Sequence, residues 1–270
     1  MSMHLATNTN LISFNADGSK MTLIDLLPFY ARKGFRTLDV NLCEMLNPGS
    51  KLAGNAYREY GRRLLELKQA HELVFHQAHA PYAKDGHVLG DFLSRSMELC
   101  QMLDIAVLVV HPIKGTIAEN IACFTPYIRQ AEQQKLILAF ENLTDSDELT
   151  TTNQLCELVD GFNAPSAGVC YDTGHAHMLG HDLVQDILCL GKRIKATHIA
   201  DNHGKTDEHL LPFFGTIDWK AVVQAFATAN YAGYLTFECM FFNRHLPLEL
   251  KSQALDLAQA VGKHLLSLVP

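Results

Sequence analysis

The run Ile105-Ala-Val-Leu-Val-Val110, followed at once by His111-Pro112, is apolar at every position. A strand with one face on water alternates apolar and polar residues, whereas an unbroken apolar run marks a parallel strand buried on both faces. Outward from it, further β-like segments start near His4, Arg36, Leu73, Leu136, Ala167, Lys195 and Tyr234, with this one starting near Ala106. Stretches with helical apolar spacing lie between them: Tyr57, Tyr60, Leu64 and Leu67; Ile117, Ile121, Phe124, Ile128 and Ala131; Trp219, Val222, Val223 and Phe226. Each recurs at three and four residues and makes one apolar stripe. Turns such as Asp85-Gly86, Gly180-His181-Asp182 and Gly215-Thr216-Ile217-Asp218 supply polar caps for the helices that follow. A strand and a helix alternating eight times also suit a doubly wound open sheet. No G-x-G-x-x-G follows the first strand, however, and polar residues end most strands rather than gathering at one switch point. The pattern predicts an α/β fold, a (β/α)8 TIM barrel, as a single domain over residues 1–270.

Composition agrees. A chain of 270 residues is long for one average domain, but a single α/β barrel fills that length. Lys plus Arg is 22 against 29 for Asp plus Glu, a net charge of -7, so no global basic field attracts nucleic acid. Hydrophobic residues at 48% supply a core, yet no segment approaches the roughly 18 apolar residues of a membrane span. The opening MSMHLATNTN lacks the basic, apolar and small-residue pattern of a secretory leader, so a cytoplasmic protein is expected. Seven cysteines without a C-x-x-C read as reduced core thiols.

The unusual figure is 14 histidines, several at the ends of apolar runs. In a (β/α)8 barrel the C-terminal strand ends converge on one mouth. Here they carry His79 in FHQAHAPY, His111 in VVHP, Glu141 in AFENL, Asp172 and His175 in CYDTGHAH, His198 in THIADN, Asp207 and His209 in KTDEH, and Glu238 in TFEC. Any one of these is as readily a structural group satisfied by backbone. Burying all of them together without a cation would cost several kcal/mol per group. Carboxylate and imidazole donors suit a divalent ion, zinc or manganese, with one to three ions at the mouth.

Four motifs, His198-Ile-Ala-Asp-Asn202, Asp207-Glu-His209, Gly215-Thr-Ile-Asp-Trp219 and Gly233-Tyr-Leu-Thr-Phe-Glu238, resemble the C-terminal third of the sugar isomerase/epimerase branch of the xylose isomerase-like TIM barrels. The resemblance extends over nearly the whole chain. It implies that Glu141, Asp172, His198 and Glu238 hold the principal metal, with Glu141 and Glu238 as the base and acid that move a proton through a metal-stabilised enediolate. The endonuclease IV class of the same superfamily adds two ions. By that likeness one would use His79, His111 and Glu141, and the other His175, Asp207 and His209.

The branches differ in what the mouth must grip. DNA repair needs basic loops for phosphates, but the loop after His79 reads Ala-Pro-Tyr-Ala-Lys-Asp-Gly and that after Leu42 reads Cys-Glu-Met-Leu-Asn-Pro-Gly-Ser-Lys, neither strongly basic. Arg62 and Arg63 fall within a helix and read as a solvated face. The expected activity is therefore sugar or sugar-phosphate isomerisation or epimerisation on a small sugar or polyol, without nucleic acid or membrane as partner. A trinuclear zinc phosphodiesterase of the endonuclease IV kind is the alternative. A homo-oligomer is compatible with either.

On the substrate side we expect His175, Tyr82, Lys205 and Phe213. The chain has His203-Gly204-Lys205 where some ketose epimerases carry an Arg, and Phe213 stands at a family glycine, narrowing the mouth. His177 and His181 read as loop histidines. His76, three before His79, is expected to point to the opposite face and pack. Asp39 reads equally as a hydroxyl binder or a backbone acceptor, and Asn142 and Asp201 as residues that orient ligands.

Overall fold

Four consecutive strands sort their side chains by size. Leu108, Val110, Leu138, Phe140, Val169 and Tyr171 join one continuous core with helix residues such as Phe124, Ile128, Leu155 and Phe226. Phe124 meets Phe140 edge-on at 5.0 Å. Their neighbours of opposite parity, Val109, Ala139, Cys170 and Ala196, form a separate small cluster. Along these strands large residues face helices and small ones face the axis, and each fully buried Leu or Phe contributes about 1.5–3 kcal/mol.

The computed structural model describes residues 3–15, 17–82, 89–145 and 149–269. The strands are β1 (His4–Asn8), β2 (Thr37–Asn41), β3 (Val74–His79), β4 (Val107–Val110), β5 (Ile137–Glu141), β6 (Ala167–Asp172), β7 (Ile194–His198) and β8 (Tyr234–Phe237). The helices are α1 (Leu23–Arg32), α2 (Tyr57–Ala70), α3 (Leu89–Leu103), α4 (Ile117–Gln134), α5 (Thr152–Phe162), α6 (Thr173–Met178), α7 (Leu183–Leu190), α8 (Trp219–Thr228) and α9 (Leu248–Ser267). The eight strands run in the order β7-β6-β5-β4-β3-β2-β1-β8. The ends meet where Ile199 pairs in parallel with Phe237. The (β/α)8 barrel expected from the alternation is the observed fold, and no helix among the described residues is long and apolar enough to cross a membrane.

Local signals act as the sequence indicates. Thr22, Thr116 and Thr151 close capping boxes at α1, α4 and α5. Asp182 and Asp218 accept N–H groups at the starts of α7 and α8. The Asp85-Gly86 turn lies outside the described residues.

One expectation is overturned inside the barrel. His76 does not point away from the face that His79 uses. The β2–β3 register shifts, pairing Leu38 with Phe75 but Asp39 with Gln77, so one extra β3 residue is absorbed. Such a bulge breaks strict alternation. His76 turns toward the axis, its ring 4.3 Å from Tyr234 and its Nε2 3.3 Å from Thr236 Oγ1.

Candidate functional site

Register brings the strand-end residues side by side: Asn41 pairs with His79, Glu141 with Cys170, and Asp172 with His198. At the centre His198 Nδ1 lies 2.7 Å from Glu141 Oε1, 3.4 Å from Glu238 Oε2 and 4.0 Å from Asp172 Oδ2. The ligand atoms of Glu141, Asp172, His198 and Glu238 all fall within 4.8 Å of one another. On one flank Glu141 Oε2 is 3.2 Å from His79 Nε2 and 3.1 Å from His111 Nε2. On the other, Asp207 Oδ2 is 3.5 Å from His175 Nε2 and 2.8 Å from His209 Nε2. Each flank is also a compact set of possible ligands. The structure therefore gathers every strand-end acid and histidine that the sequence singles out.

Backbone geometry aims these rings. His79 Nδ1 faces the Ala80 carbonyl at 2.8 Å, His175 Nδ1 that of Asn142 at 2.8 Å, and His209 Nδ1 that of Glu238 at 2.9 Å. A carbonyl only accepts, so Nδ1 carries a proton and Nε2 is the nitrogen turned to the carboxylates, donating to them when the ring is protonated and free to offer its lone pair where a cation takes the proton's place. Asn142 braces the backbone of Asp172: its side chain accepts from Asp172 N at 2.7 Å and donates to Asp172 O at 2.9 Å. Asp172 Oδ1 caps α6 through His175 N at 2.8 Å, while its Oδ2 is buried without a hydrogen-bond partner among the described residues.

Charge follows position. Burial opposes ionisation of Glu141, but His198, His111 and His79 outweigh it and hold its carboxyl well below the usual range. Burial wins at Glu238 and Asp172, whose carboxyls are pushed up. Burial works against a charged His209, yet Asp207 and Glu238 raise it to about 9.

The donor set fits a divalent ion. Ligand atoms about 2.1 Å from one ion lie at most about 4.2 Å apart, close to the span of the central four. Asp172 Oδ2 and Asp207 Oδ1 are buried polar atoms lacking partners among the described residues, one in the centre and one on a flank.

Above this floor is a cavity of about 410 Å³, whose wall includes His79, His111, Glu141, His175, Asp207, His209 and Glu238. Tyr82 is also on the wall, its ring stacked 5.7 Å from His111. Lys205 and Phe213 are not. Lys205 is exposed. Phe213 has φ +75°, gives its N–H to Asp201 Oδ2, and turns its ring toward His264, so it does not narrow the mouth. His177 bonds Thr216 Oγ1 at 2.9 Å and His181 bonds Asp186 at 3.0 Å, both away from this cavity.

Asp201 touches no candidate ligand side chain and acts instead on the segment that carries two of them. It is fully buried and accepts from Trp219 Nε1, Phe213 N, Ile217 N and Asn202 N at 2.8 to 3.2 Å. It latches the segment 202–217, which carries Asp207 and His209. Gly215 is required at that latch, because a Cβ there would collide with Asp201 Oδ1 and the Asn202 carbonyl.

Several wall residues have no sequence signal. Glu44 accepts from Leu23 N at 2.7 Å, and burial pushes its carboxyl up. Cys43 Sγ stands 3.5 Å from His79 Nδ1. Lys20, its ammonium 5.1 Å from the Phe14 ring centre, is the only Lys or Arg on the wall among the described residues.

Comparison with known proteins agrees with this geometry. A model of the xylose isomerase-like TIM barrel family matches residues 30–260. An uncharacterised protein of Sinorhizobium fredii is 26% identical over 246 residues, 84% of this chain and 76% of its own. A probable endonuclease 4 of Geobacillus kaustophilus is 29% identical over 196 residues, 61% of this chain and 64% of its own. A D-allulose 3-epimerase from Methylomonas sp. superposes with a TM-score of 0.75 at 15% identity, over 99% of this chain and 98% of that one. At that identity the likeness is one of fold.

Proposed function

The chain belongs to the xylose isomerase-like TIM barrel family, and from that premise we propose that it is a divalent-metal-dependent isomerase or epimerase of a sugar or sugar phosphate. The observation that carries this reading is the pair Glu141 and Glu238. They come from β5 and the end of β8, flank His198 Nδ1 at 2.7 and 3.4 Å, and both open onto the 410 Å³ cavity. That volume suits a small ligand.

Glu141, Asp172, His198 and Glu238 would hold zinc or manganese, which when bound stabilises negative charge on carbonyl and hydroxyl oxygens. The protein side chains handle the proton. One of the two glutamates takes it from the carbon beside the carbonyl, and the other returns a proton to the opposite face or to the adjoining carbon. His175 and Tyr82 face the cavity where sugar hydroxyls would lie, and Phe14 and Phe241 give another part of its wall apolar surface.

The test is turnover of ketoses and their phosphates in deuterium oxide. Deuterium is expected beside the carbonyl in product or recovered substrate, and Glu238→Gln should abolish that exchange. Equal exchange in parent and variant would remove Glu238 as the proton carrier.

A second reading, metal-assisted phosphodiester hydrolysis, is favoured by the two flanking triads, His79/His111/Glu141 and His175/Asp207/His209, and by the relative described as a probable endonuclease 4. Three equivalents of tightly bound zinc together with incision of an abasic duplex would establish it over the first.

A further inference from the structure

His79, His175 and His209 are all pinned through Nδ1 to backbone carbonyls. His198 is turned the other way. Its Nδ1 faces Glu141, Glu238 and Asp172, and its Nε2 points to Asp39 Oδ2 at 3.2 Å. Asp39 is fully buried and absent from the cavity wall, so it meets the ring from behind and does not reach substrate. The same Oδ2 accepts from Asn8 Nδ2 at 3.0 Å and Gln77 Nε2 at 3.1 Å. Asn8 and Gln77 sit beside Asp39 in the strand register, one on each side. Asp39 is therefore held in place by β1 and β3 independently of the imidazole it touches on β7.

We propose that Asp39 is the positioning residue for His198, accepting its Nε2–H so that Nδ1 is the nitrogen offered to the cation. This rests on the reading that Glu141, Asp172, His198 and Glu238 share a metal. A carboxylate behind a ligating imidazole fixes its tautomer and orientation and raises its basicity. Loss of such a partner typically weakens metal binding 10–100-fold. The other three rings obtain orientation from neutral carbonyls, and His198 alone among them obtains it from a charged group.

The test uses zinc alone, without substrate. In zinc-loaded protein with 15N-labelled histidine, long-range proton–nitrogen correlation should find the metal on His198 Nδ1 and a hydrogen-bonded proton on Nε2. Asp39→Leu is the variant that removes the acceptor behind the ring, and Asp39→Asn is the control, because it keeps one accepting oxygen in the place of Oδ2 with its amide where Oδ1 has no partner among the described residues. Competition against a chromophoric chelator should show zinc bound 10–100-fold more weakly by the variant, while the control keeps an affinity nearer the parent's. Zinc on His198 Nε2 in the parent, or a variant affinity within about twofold of the parent's, would overturn the assignment while leaving the metal site standing. A parent that binds no zinc or manganese would instead bring down the metal reading itself, and this inference with it.

Discussion

Asp201→Asn changes one oxygen to an amide in a wholly buried setting, and its cost can be worked from the bonds that Asp201 accepts. Oδ2 takes Trp219 Nε1 at 2.8 Å and Phe213 N at 3.0 Å, while Oδ1 takes Asn202 N at 2.9 Å and Ile217 N at 3.2 Å. Asparagine has one accepting oxygen, so whichever way it is turned, two N–H groups face an NH2 group. Two bonds to a carboxylate, at about 1.5–3 kcal/mol each, give a loss of about 3–6 kcal/mol. At about 2–4 °C per kcal/mol for a domain near this size, the melting temperature should fall by roughly 6–24 °C. Trp219 is the single tryptophan of the chain, so its fluorescence reports on this latch while circular dichroism follows the whole barrel. The emission should shift in the variant before global unfolding. Zinc binding should weaken at the flank built from Asp207 and His209, which the latched segment carries, and less at His79 and His111. A melting point within about 3 °C of the parent, with unchanged tryptophan emission, would refute the idea that this carboxylate holds the segment.

Other outcomes follow from the same geometry. Saturating zinc, at about 1,000 times its dissociation constant, should stabilise the protein by about 4 kcal/mol over the chelated form; an unchanged unfolding midpoint after chelation would contradict a structural cluster of ligands. Glu141 belongs to both the central set and the His79/His111 set, so Glu141→Ala should depress zinc stoichiometry at both and spare His175/Asp207/His209, as read by elemental analysis. Burial pushes His76 down to about 4 from an ordinary 6.5, so the unfolded chain takes up a proton that the fold refuses. Stability is then kept above pH 6.5 and lost as pH falls toward 4, by up to about 3 kcal/mol. His76→Phe should flatten that part of the urea-midpoint profile, and an identical slope in parent and variant would remove His76 as its source.

The barrel and its ring of acids and histidines were readable because both depend on short-range order. An apolar run such as 105–110 identifies a buried parallel strand by itself, and the residue at the C-terminal end of each strand must reach the mouth whatever the loops do. The orientation of His76 was not readable, since its bulge is set by pairing with Leu38 and Asp39 on another strand. Phe213 was misplaced for a related reason. Its direction follows from a left-handed backbone and an N–H bond to Asp201, neither of which a substitution at a family glycine reveals. Asp39 stood open between two roles because its partners, Asn8, Gln77 and His198, come from three different strands. Lys205 carries the right charge, but its segment turns it outward to solvent.

The closure of the barrel has a mechanical consequence. Between β7 and β8 the sheet is joined at Ile199 and Phe237, with Ile199 N donating to Thr236 O at 2.8 Å and Glu238 N to Ile199 O at 3.1 Å. The other neighbouring strands share longer ladders, such as the pairings of β4 with β5 and of β1 with β8. The two lips of this seam end in His198 and Glu238. A cation gripped by both, and by Glu141 and Asp172 on the β7 side, ties the lips together as a clasp ties the ends of a hoop. Its arrival would therefore relocate the point of first rupture. In chelated protein the amides of Ile199 and Glu238 should be among the earliest of the barrel to exchange with deuterium, and in loaded protein the first opening should pass to a different strand pair.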